Sequence, residues 1–239
     1  MGTLNSNPEV LLDGALIKGH LLSTGGESAR HKGAWARKLK RWLDIVTSVT
    51  MMLLLMPLCA LIVLAIKLTS RGPVLFRQER IGLGGKRFTI LKFRTMTADN
   101  DPSIHRDWMR DFITKPSVAR RQSWKMSRDP RVTPLGHALR RTCLDEIPQF
   151  FNVLKGEMSL VGPRPCIPYE YEYYQAWHCD RVTAMPGLTG LWQISDRARI
   201  SFDEMVKLDL EYIRHWSIWL DIRILLRTPS AVLFAKGNR

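Results

Sequence analysis

The chain has 239 residues, with 36 lysines and arginines against 22 aspartates and glutamates, and a formal net charge of +14. Because 45% of the residues are hydrophobic, a chain disordered throughout is excluded, and a single long apolar run is too little for a polytopic membrane protein. So large a positive excess indicates an anionic partner, which could be nucleic acid, a phosphorylated substrate or lipid headgroups.

The N-terminal segment, residues 1 to 29, is polar and contains glycine and serine, which predicts a mobile tail. The remaining residues, 30 to 239, suit a single domain with one core, and no internal repeat divides them.

Residues 45 to 66 carry no charged side chain and predict a membrane helix over about 43–68. Basic clusters flank both ends of this run. Because positive charge marks the cytoplasmic side, a helix that spans the bilayer would place one cluster on the wrong side. Pro57, near the middle, removes a backbone hydrogen bond and favours a bend. We therefore favour a re-entrant helix-break-helix over a spanning helix, with both clusters bound to anionic lipid headgroups.

Two short β-type runs, 74–76 and 88–91, flank a glycine-rich turn at 82–86 and predict a β-hairpin. A phosphate-binding loop is the weaker interpretation of this turn, because Arg80 and Arg87 stand where that motif needs glycine and serine or threonine. If residues 92–96 form an alternating strand, Lys92 and Arg94 lie on one face of it. They could bind phosphate or form a solvated basic edge.

The strongest candidate for chemistry is the pair Asp145–Glu146, with Arg140 and Arg141 just upstream. Pro148 is tolerated only in the first turn of a helix, so we expect a helix to begin just before Asp145. One interpretation is helix capping, since acids are favoured in the first turn. The functional interpretation is that arginines hold phosphates while a carboxylate attacks phosphorus or binds Mg²⁺.

The C-terminal half adds one loop and three predicted helices. Arg164 lies in a loop stiffened by two prolines, which is either an ordinary turn or a phosphate contact. An aromatic, acidic helix is predicted over 169–177, and amphipathic helices over 202–214 and 217–228. The last one mixes apolar residues with tryptophan and arginine, so it could lie in a membrane interface or pack onto the core.

Taken together, these motifs resemble the bacterial sugar transferase family, the small monotopic phosphoglycosyl transferases. The resemblance covers about 200 residues. Its motifs lie at 40–44, 72–78, 92–96, 129–133, 144–149, 152–165 and 186–193.

The resemblance implies an α+β fold, mostly helical. A re-entrant helix, a small β-hairpin and interfacial amphipathic helices would surround one catalytic domain, residues 30–239, on the cytoplasmic face of the bacterial inner membrane. Three positions depart from the family pattern. Met56 precedes Pro57 where serine is common, Cys143 replaces a common serine, and Asp196 replaces a common glycine.

The resemblance also implies a reaction. Family members transfer a sugar 1-phosphate from a UDP-sugar to undecaprenyl phosphate and release UMP, the first step of exopolysaccharide, capsule or O-antigen synthesis. Asp145 would be the nucleophile that forms an aspartyl-phosphosugar intermediate, and Glu146 would bind Mg²⁺. Arg140 matches a phosphate-contacting position, and Arg164 lies in the family's Pro-Arg-Pro loop.

Residues 190–193 look like those of members that use a hexose, galactose or glucose, with an N-acetylated sugar as the alternative. The expected partners are UDP-hexose, undecaprenyl phosphate and anionic membrane lipids, and a homo-oligomer stays open. Nucleic acid is not expected, since no aromatic-basic motif for it occurs. A non-catalytic, membrane-anchored basic binding protein is the alternative from another class, and it leaves the Asp145–Glu146 pair without a purpose.

Overall fold

The computed structural model describes residues 33–97, 103–115, 129–195 and 200–234. Over these residues the protein is mostly helical and carries two small two-stranded sheets, which confirms the α+β class. The expected mobile tail, residues 1–29, and Asp196 lie outside the described residues.

The longest element is helix α1, Ala34–Thr69, whose 36 residues extend about 54 Å at 1.5 Å per residue. Within the described ranges it is the one helix that is long and apolar enough to cross a membrane. Pro57 lies inside this element, which is helical on both sides of the proline. The helix-break-helix therefore stays a prediction.

Both ends of α1 pack against the rest of the protein. Near the first end, the Asp44 carboxylate accepts a hydrogen bond of 3.1 Å from the Leu160 N–H, and Ser48 is fully buried. Near the other end, Ile62 and Ile66 are buried in a hydrophobic cluster that includes Phe93, Leu139 and Ile147. The residues between, 49–61, are exposed or half-buried. One side of this middle part, with Leu55, Leu58 and Cys59, packs against the same cluster, and its other side is exposed.

Two residues of the upstream basic cluster face the protein, which corrects their predicted contact with lipid headgroups. The Lys40 ammonium donates to the Asp221 carboxylate at 2.7 Å and to the Val161 carbonyl at 3.1 Å. The Arg41 guanidinium donates to the carbonyls of Val153 and Leu154. The Arg41 guanidinium thus adds to the cap at the C-terminal end of the helix Phe150–Lys155, and the Lys40 ammonium is neutralised by a carboxylate of the helix Ile218–Phe234.

The predicted hairpin is confirmed. Strands β1, Leu75–Ile81, and β2, Arg87–Phe93, pair antiparallel with Gln78 opposite Ile90. The connecting turn places Gly84 at φ 64°, a backbone conformation that favours glycine.

The remaining elements form a compact body around a second pair of strands, β3 and β4, which are parallel. In chain order they are α2 Ser103–Thr114, α3 Pro134–Arg141, a 3₁₀ helix Leu144–Gln149, α4 Phe150–Lys155, β3 Ser159–Val161, α5 Pro168–Tyr171, a 3₁₀ helix Ala176–Thr183 and β4 Gly187–Thr189.

Two C-terminal helices complete the fold, α6 Phe202–His215 and α7 Ile218–Phe234, and confirm both predicted amphipathic helices. Helix α6 begins with a capping box between Ser201 and Glu204. Helix α7 buries Asp221 and Ile224 against the core, while Trp219 and Leu226 are exposed on its outer side. The inner face therefore packs on the core, and the outer face is left for an interface.

The helix predicted over 169–177 is shorter than expected. Helix α5 ends at Tyr171, and a separate 3₁₀ helix begins at Ala176. The buried Glu170 carboxylate accepts a hydrogen bond from the Ile167 N–H and so caps the start of α5. The aromatic residues that follow, Tyr173, Tyr174 and Trp177, pack against the hydrophobic core from this interrupted segment.

Candidate active site

The Asp145–Glu146 pair lies at the start of a helical segment, as predicted. Cys143 precedes it with a left-handed backbone, φ 55°, and the 3₁₀ helix Leu144–Gln149 then leads directly into α4. Because Pro148 has no N–H, an α-helical bond to the Leu144 carbonyl cannot form, and the first turn is a 3₁₀ turn. The Asp145 side chain is buried and held at the positive end of this segment.

Arg140 interacts electrostatically with Asp145. It comes from the end of helix α3, and its Nε–H donates to the Thr95 hydroxyl at 2.9 Å. Burial lowers the pKa of Arg140, while the negative charges of Asp145 and Asp129 act in the opposite direction. The sequence prediction that Asp145 and Arg140 belong to one cluster is thereby supported by their mutual interaction.

Lys92 is brought to the second carboxylate. Its ammonium lies 2.6 Å from Glu146 Oε1, across 54 residues of sequence. The two side chains are 22% and 32% exposed, so this ion pair lies at the open edge of the cluster. The edge strand β2 therefore supplies one cation to the site.

An ion pair between Asp129 and Arg131 also lies in this region, and neither residue was among the site residues predicted from the sequence. Both are buried, and the Arg131 guanidinium binds the Asp129 carboxylate through Nε at 2.8 Å and Nη2 at 2.7 Å. Hydrogen bonds from Arg131 lower the pKa of Asp129, and Arg140 adds a smaller effect of the same sign. The Asp-Pro-Arg spacing was the available signal, since a proline between the two stiffens a turn.

The other predicted phosphate contacts are placed differently. Arg94 is buried, and its Nη2 donates to the carbonyl and hydroxyl of Ser70, at 2.9 and 2.8 Å, where it caps the C-terminus of α1. Arg141 is exposed at the end of α3. Neither placement tests whether these residues bind phosphate, and that role stays a prediction.

Arg164 belongs to a second cluster of charged residues, together with Arg80 and Arg181. It lines two small cavities, together with Cys166 and Arg181. The buried Arg80 donates to the Pro165 carbonyl at 3.0 Å and so holds the Pro-Arg-Pro loop. 

His105 lies on helix α2, and its Nδ1 is hydrogen-bonded to the Tyr169 hydroxyl. Burial lowers the pKa of His105 to about 4, with smaller effects from Glu170, Arg164, Arg80 and Arg131.

These residues can now be set beside known proteins. The family model for the bacterial sugar transferases matches residues 35–235. The chain belongs to the bacterial sugar transferase family. Among its relatives is a protein named galactosyl transferase CpsE, of Streptococcus agalactiae, 43% identical over 205 residues, covering 84% of this chain and 43% of that protein.

Two other relatives have names that describe a reaction. The undecaprenyl-phosphate galactose phosphotransferase of Salmonella typhimurium is 41% identical over 217 residues, which cover 84% of this chain and 42% of that protein. The UDP-glucose:undecaprenyl-phosphate glucose-1-phosphate transferase of Caulobacter vibrioides is 44% identical, over 81% of this chain and 69% of that protein. The chain thus spans less than half the length of the Streptococcus agalactiae and Salmonella typhimurium proteins.

The predicted Mg²⁺ would need oxygen ligands from the chain. Within the described ranges no group of three or more histidine, cysteine, aspartate or glutamate side chains could enclose a metal. Mg²⁺ does not require one, since it is commonly bound by one or two carboxylates together with substrate phosphates and water. The partly exposed Glu146 would supply one such carboxylate. The residues therefore fit a substrate-dependent Mg²⁺ site rather than a preformed cage.

Proposed function

We propose that this chain transfers hexose 1-phosphate from a UDP-hexose to undecaprenyl phosphate and releases UMP. The observation that carries the proposal is the buried Asp145 at the start of a helical segment, beside Arg140, with Glu146 paired to Lys92 at the open edge. The names of two relatives, which specify undecaprenyl phosphate and galactose or glucose, support the choice of substrates.

The first step follows from this arrangement. An Asp145 carboxylate oxygen attacks the β-phosphorus of the UDP-hexose, and the bond from that phosphorus to the bridging oxygen breaks. UMP leaves with the bridging oxygen and its electron pair, and the sugar phosphate stays on Asp145 as an acyl phosphate. Two anions repel each other, so the attack requires positive charge nearby. Arg140 supplies that charge at Asp145, and Lys92 supplies it at the edge of the site.

The second step regenerates the protein. An oxygen of undecaprenyl phosphate attacks the same phosphorus, the bond to Asp145 breaks, and the carboxylate returns with its electron pair. Glu146 would hold Mg²⁺, which when bound offsets the negative charge of the diphosphate. Arg164, which lines two small cavities beside the Pro-Arg-Pro loop, would receive the rest of the donor.

The position of α1 supports a protein embedded in one leaflet. A helix that spans a bilayer ends on opposite sides of about 30 Å of hydrocarbon. Here Lys40 and Asp44 at one end, and Ile66 and Ser70 at the other, all contact the same body of the protein. A re-entrant path that bends at Pro57 satisfies both sets of contacts. We infer that the exposed outer face of α7, with Trp219 and Leu226, lies in the same cytoplasmic interface.

The chemistry is tested with the purified protein in detergent, UDP-galactose or UDP-glucose, and undecaprenyl phosphate. Asp145→Asn should lower UMP release by roughly 10³-fold or more, because the amide cannot act as the nucleophile. The matched control is Asp107→Asn, which removes a carboxylate whose side chain is 63% exposed on helix α2 and should leave the rate unchanged. Retained turnover in Asp145→Asn would exclude Asp145 as the nucleophile.

A second measurement separates the two-step reaction from direct transfer. With UDP-hexose and no lipid, the two-step reaction releases one UMP per protein and increases the intact mass by one hexose phosphate. In direct transfer, with Asp145 as a base, neither change occurs until lipid is added. A panel of UDP-sugars in the complete assay then identifies the sugar, and preference for an N-acetylated sugar would contradict the hexose assignment.

The one-leaflet topology is tested by labelling single cysteines in whole cells, in a background without the four native ones. Cysteines placed at Lys38 and at Arg71, both exposed, lie at the two ends of α1. Both should resist a membrane-impermeant thiol reagent until the cells are opened. Labelling of one position in intact cells would show that α1 spans the membrane.

A further inference from the structure

Thr95 lies between the end of strand β2 and helix α3, where it contacts the cation of the candidate site. It is 7% exposed, and its hydroxyl oxygen accepts the Nε–H of Arg140 at 2.9 Å. We propose that Thr95 is a positioning residue that orients the Arg140 guanidinium toward Asp145. This inference rests on the proposed function for its kinetic consequences, and on the structure alone for the contact itself.

The contact is built by more than one interaction. The Thr95 carbonyl accepts the Thr133 N–H at 3.0 Å, which docks the first turn of α3 on the same residue. At Gly136, a Cβ atom would lie 2.0 Å from the Thr95 carbonyl oxygen, so only a glycine allows the helix to come so near. Gly136 and Arg140 are four residues apart and therefore share one helix face. That face is the one turned toward Thr95.

The geometry of arginine explains what the hydroxyl does. A guanidinium is planar and presents its N–H groups in a fixed fork. When Nε–H is held by Thr95, the plane and the direction of the two terminal nitrogens are set. The charges that act on this guanidinium are Asp145 and Asp129, which raise its pKa, and Arg131, which lowers it. Without this bond the guanidinium could rotate, and its charge would no longer be held in one position relative to Asp145.

The kinetic test uses Thr95→Val, which keeps the shape and removes the acceptor, and Thr95→Ser, which keeps the hydroxyl. A hydrogen bond to a charged group is worth enough to change a rate by roughly tenfold. We expect kcat for UMP release to fall about tenfold in Thr95→Val with KM for UDP-hexose nearly unchanged, and to recover in Thr95→Ser. Equal losses in both variants, or a loss confined to KM, would overturn the inference.

A structural control comes from the neighbouring threonine. Thr133 caps α3, its hydroxyl oxygen accepting the Gly136 N–H at 2.9 Å. Thr133→Val should lower the melting temperature without lowering kcat, because it removes this cap and the 3.4 Å bond from the Thr133 hydroxyl to the Thr95 carbonyl but keeps the Thr95 hydroxyl that accepts from Arg140. If Thr133→Val lowered kcat as much as Thr95→Val does, the effect would be general loosening of α3 and the inference would fail.

A double-mutant cycle on stability tests the contact without any activity. Arg140→Lys keeps a positive charge but has no Nε–H for Thr95 to accept. We expect Thr95→Val to lower the melting temperature in the wild-type protein and to add little in the Arg140→Lys protein. Additive effects would mean that the two side chains are not coupled. A wild-type protein inactive on every UDP-sugar would refute the proposed function, whereas this cycle would still decide the contact.

Discussion

The carboxylate of Asp221 joins helix α1 to the body of the protein, and its removal should be costly. It accepts hydrogen bonds from three donors that come from different elements. The donors are Lys40 Nζ at 2.7 Å, the Tyr212 hydroxyl at 2.8 Å and Trp216 Nε1 at 3.0 Å. The side chains of Lys40 and Asp221 are only 16% and 9% exposed. Asp221→Ala would leave one cation and two neutral donors without this acceptor.

The magnitude follows from this burial. Breaking a buried ion pair by removing one partner costs about 3–5 kcal/mol, and we take the lower value because Lys40 keeps some contact with solvent. For a chain of this size, about 3 kcal/mol corresponds to a melting temperature lower by about 6–12 °C. Asp221→Asn keeps one oxygen for the Tyr212 hydroxyl and should lose about half as much.

The assay is thermal unfolding in detergent, with Asp107→Ala as the surface control, which should change stability by less than about 0.5 kcal/mol. Lys40→Met completes a double-mutant cycle with Asp221→Ala. The expected result is a large loss in each single variant and a double variant no worse than the poorer single one. A fall below about 1 kcal/mol in Asp221→Ala, or fully additive losses, would refute the reasoning.

Three further perturbations have definite expected outcomes. Burial lowers the pKa of His105 to about 4, so the ring is neutral in the folded protein, and stability is lost as the pH falls below the ordinary histidine value near 6.5. The free energy of chemical unfolding should be about 1–2 kcal/mol lower at pH 5 than at pH 7.5. His105→Gln should flatten this pH dependence, and an unchanged slope in that variant would contradict the prediction. Cys143→Gly removes the strain of a side chain on a left-handed backbone, φ 55°. The free energy of unfolding should rise by about 0.5 kcal/mol after the entropy cost of glycine is subtracted. A lower free energy of unfolding would show that the packing of the Cys143 side chain contributes more to stability than its strain costs. Gly136→Ala places a Cβ 2.0 Å from the Thr95 carbonyl oxygen and should destabilise the fold by about 1–3 kcal/mol. Ala138→Gly, on the exposed side of the same helix, is the control. A tolerated Gly136→Ala would mean that α3 can move away from Thr95.

Local patterns in the sequence predicted the elements well. The hairpin followed from two β-type runs around a glycine turn, and α6 and α7 followed from the spacing of apolar residues. The helical start at Asp145 followed from Pro148, whose missing N–H allows few positions. Each of these predictions depends on neighbours within about four residues, which is the range over which backbone preference acts.

Contacts between distant residues could not be predicted in the same way. Lys40 and Asp221 are 181 positions apart, and nothing in the basic cluster around Lys40 distinguishes it from residues that face solvent. Similarly, strand-like alternation placed Lys92 and Arg94 on one face. It could not predict that Lys92 contacts Glu146 and that Arg94 contacts Ser70. The motif at 129–133 contains Asp129 and Arg131, but it did not predict that they form a buried ion pair, because charged residues close together in sequence usually pair at the surface.

The attachment of both ends of α1 to one domain also bears on how the chain enters a membrane. In the one-leaflet arrangement proposed above, no polar segment has to be carried through the hydrocarbon, where each lysine or arginine would cost about 2.5–3.5 kcal/mol. Insertion would then need no translocation machinery for the basic segments before and after α1. The inserted helix would also enlarge one leaflet and not the other, so that the protein should bind more strongly to highly curved vesicles, whose outer leaflet has packing gaps to fill.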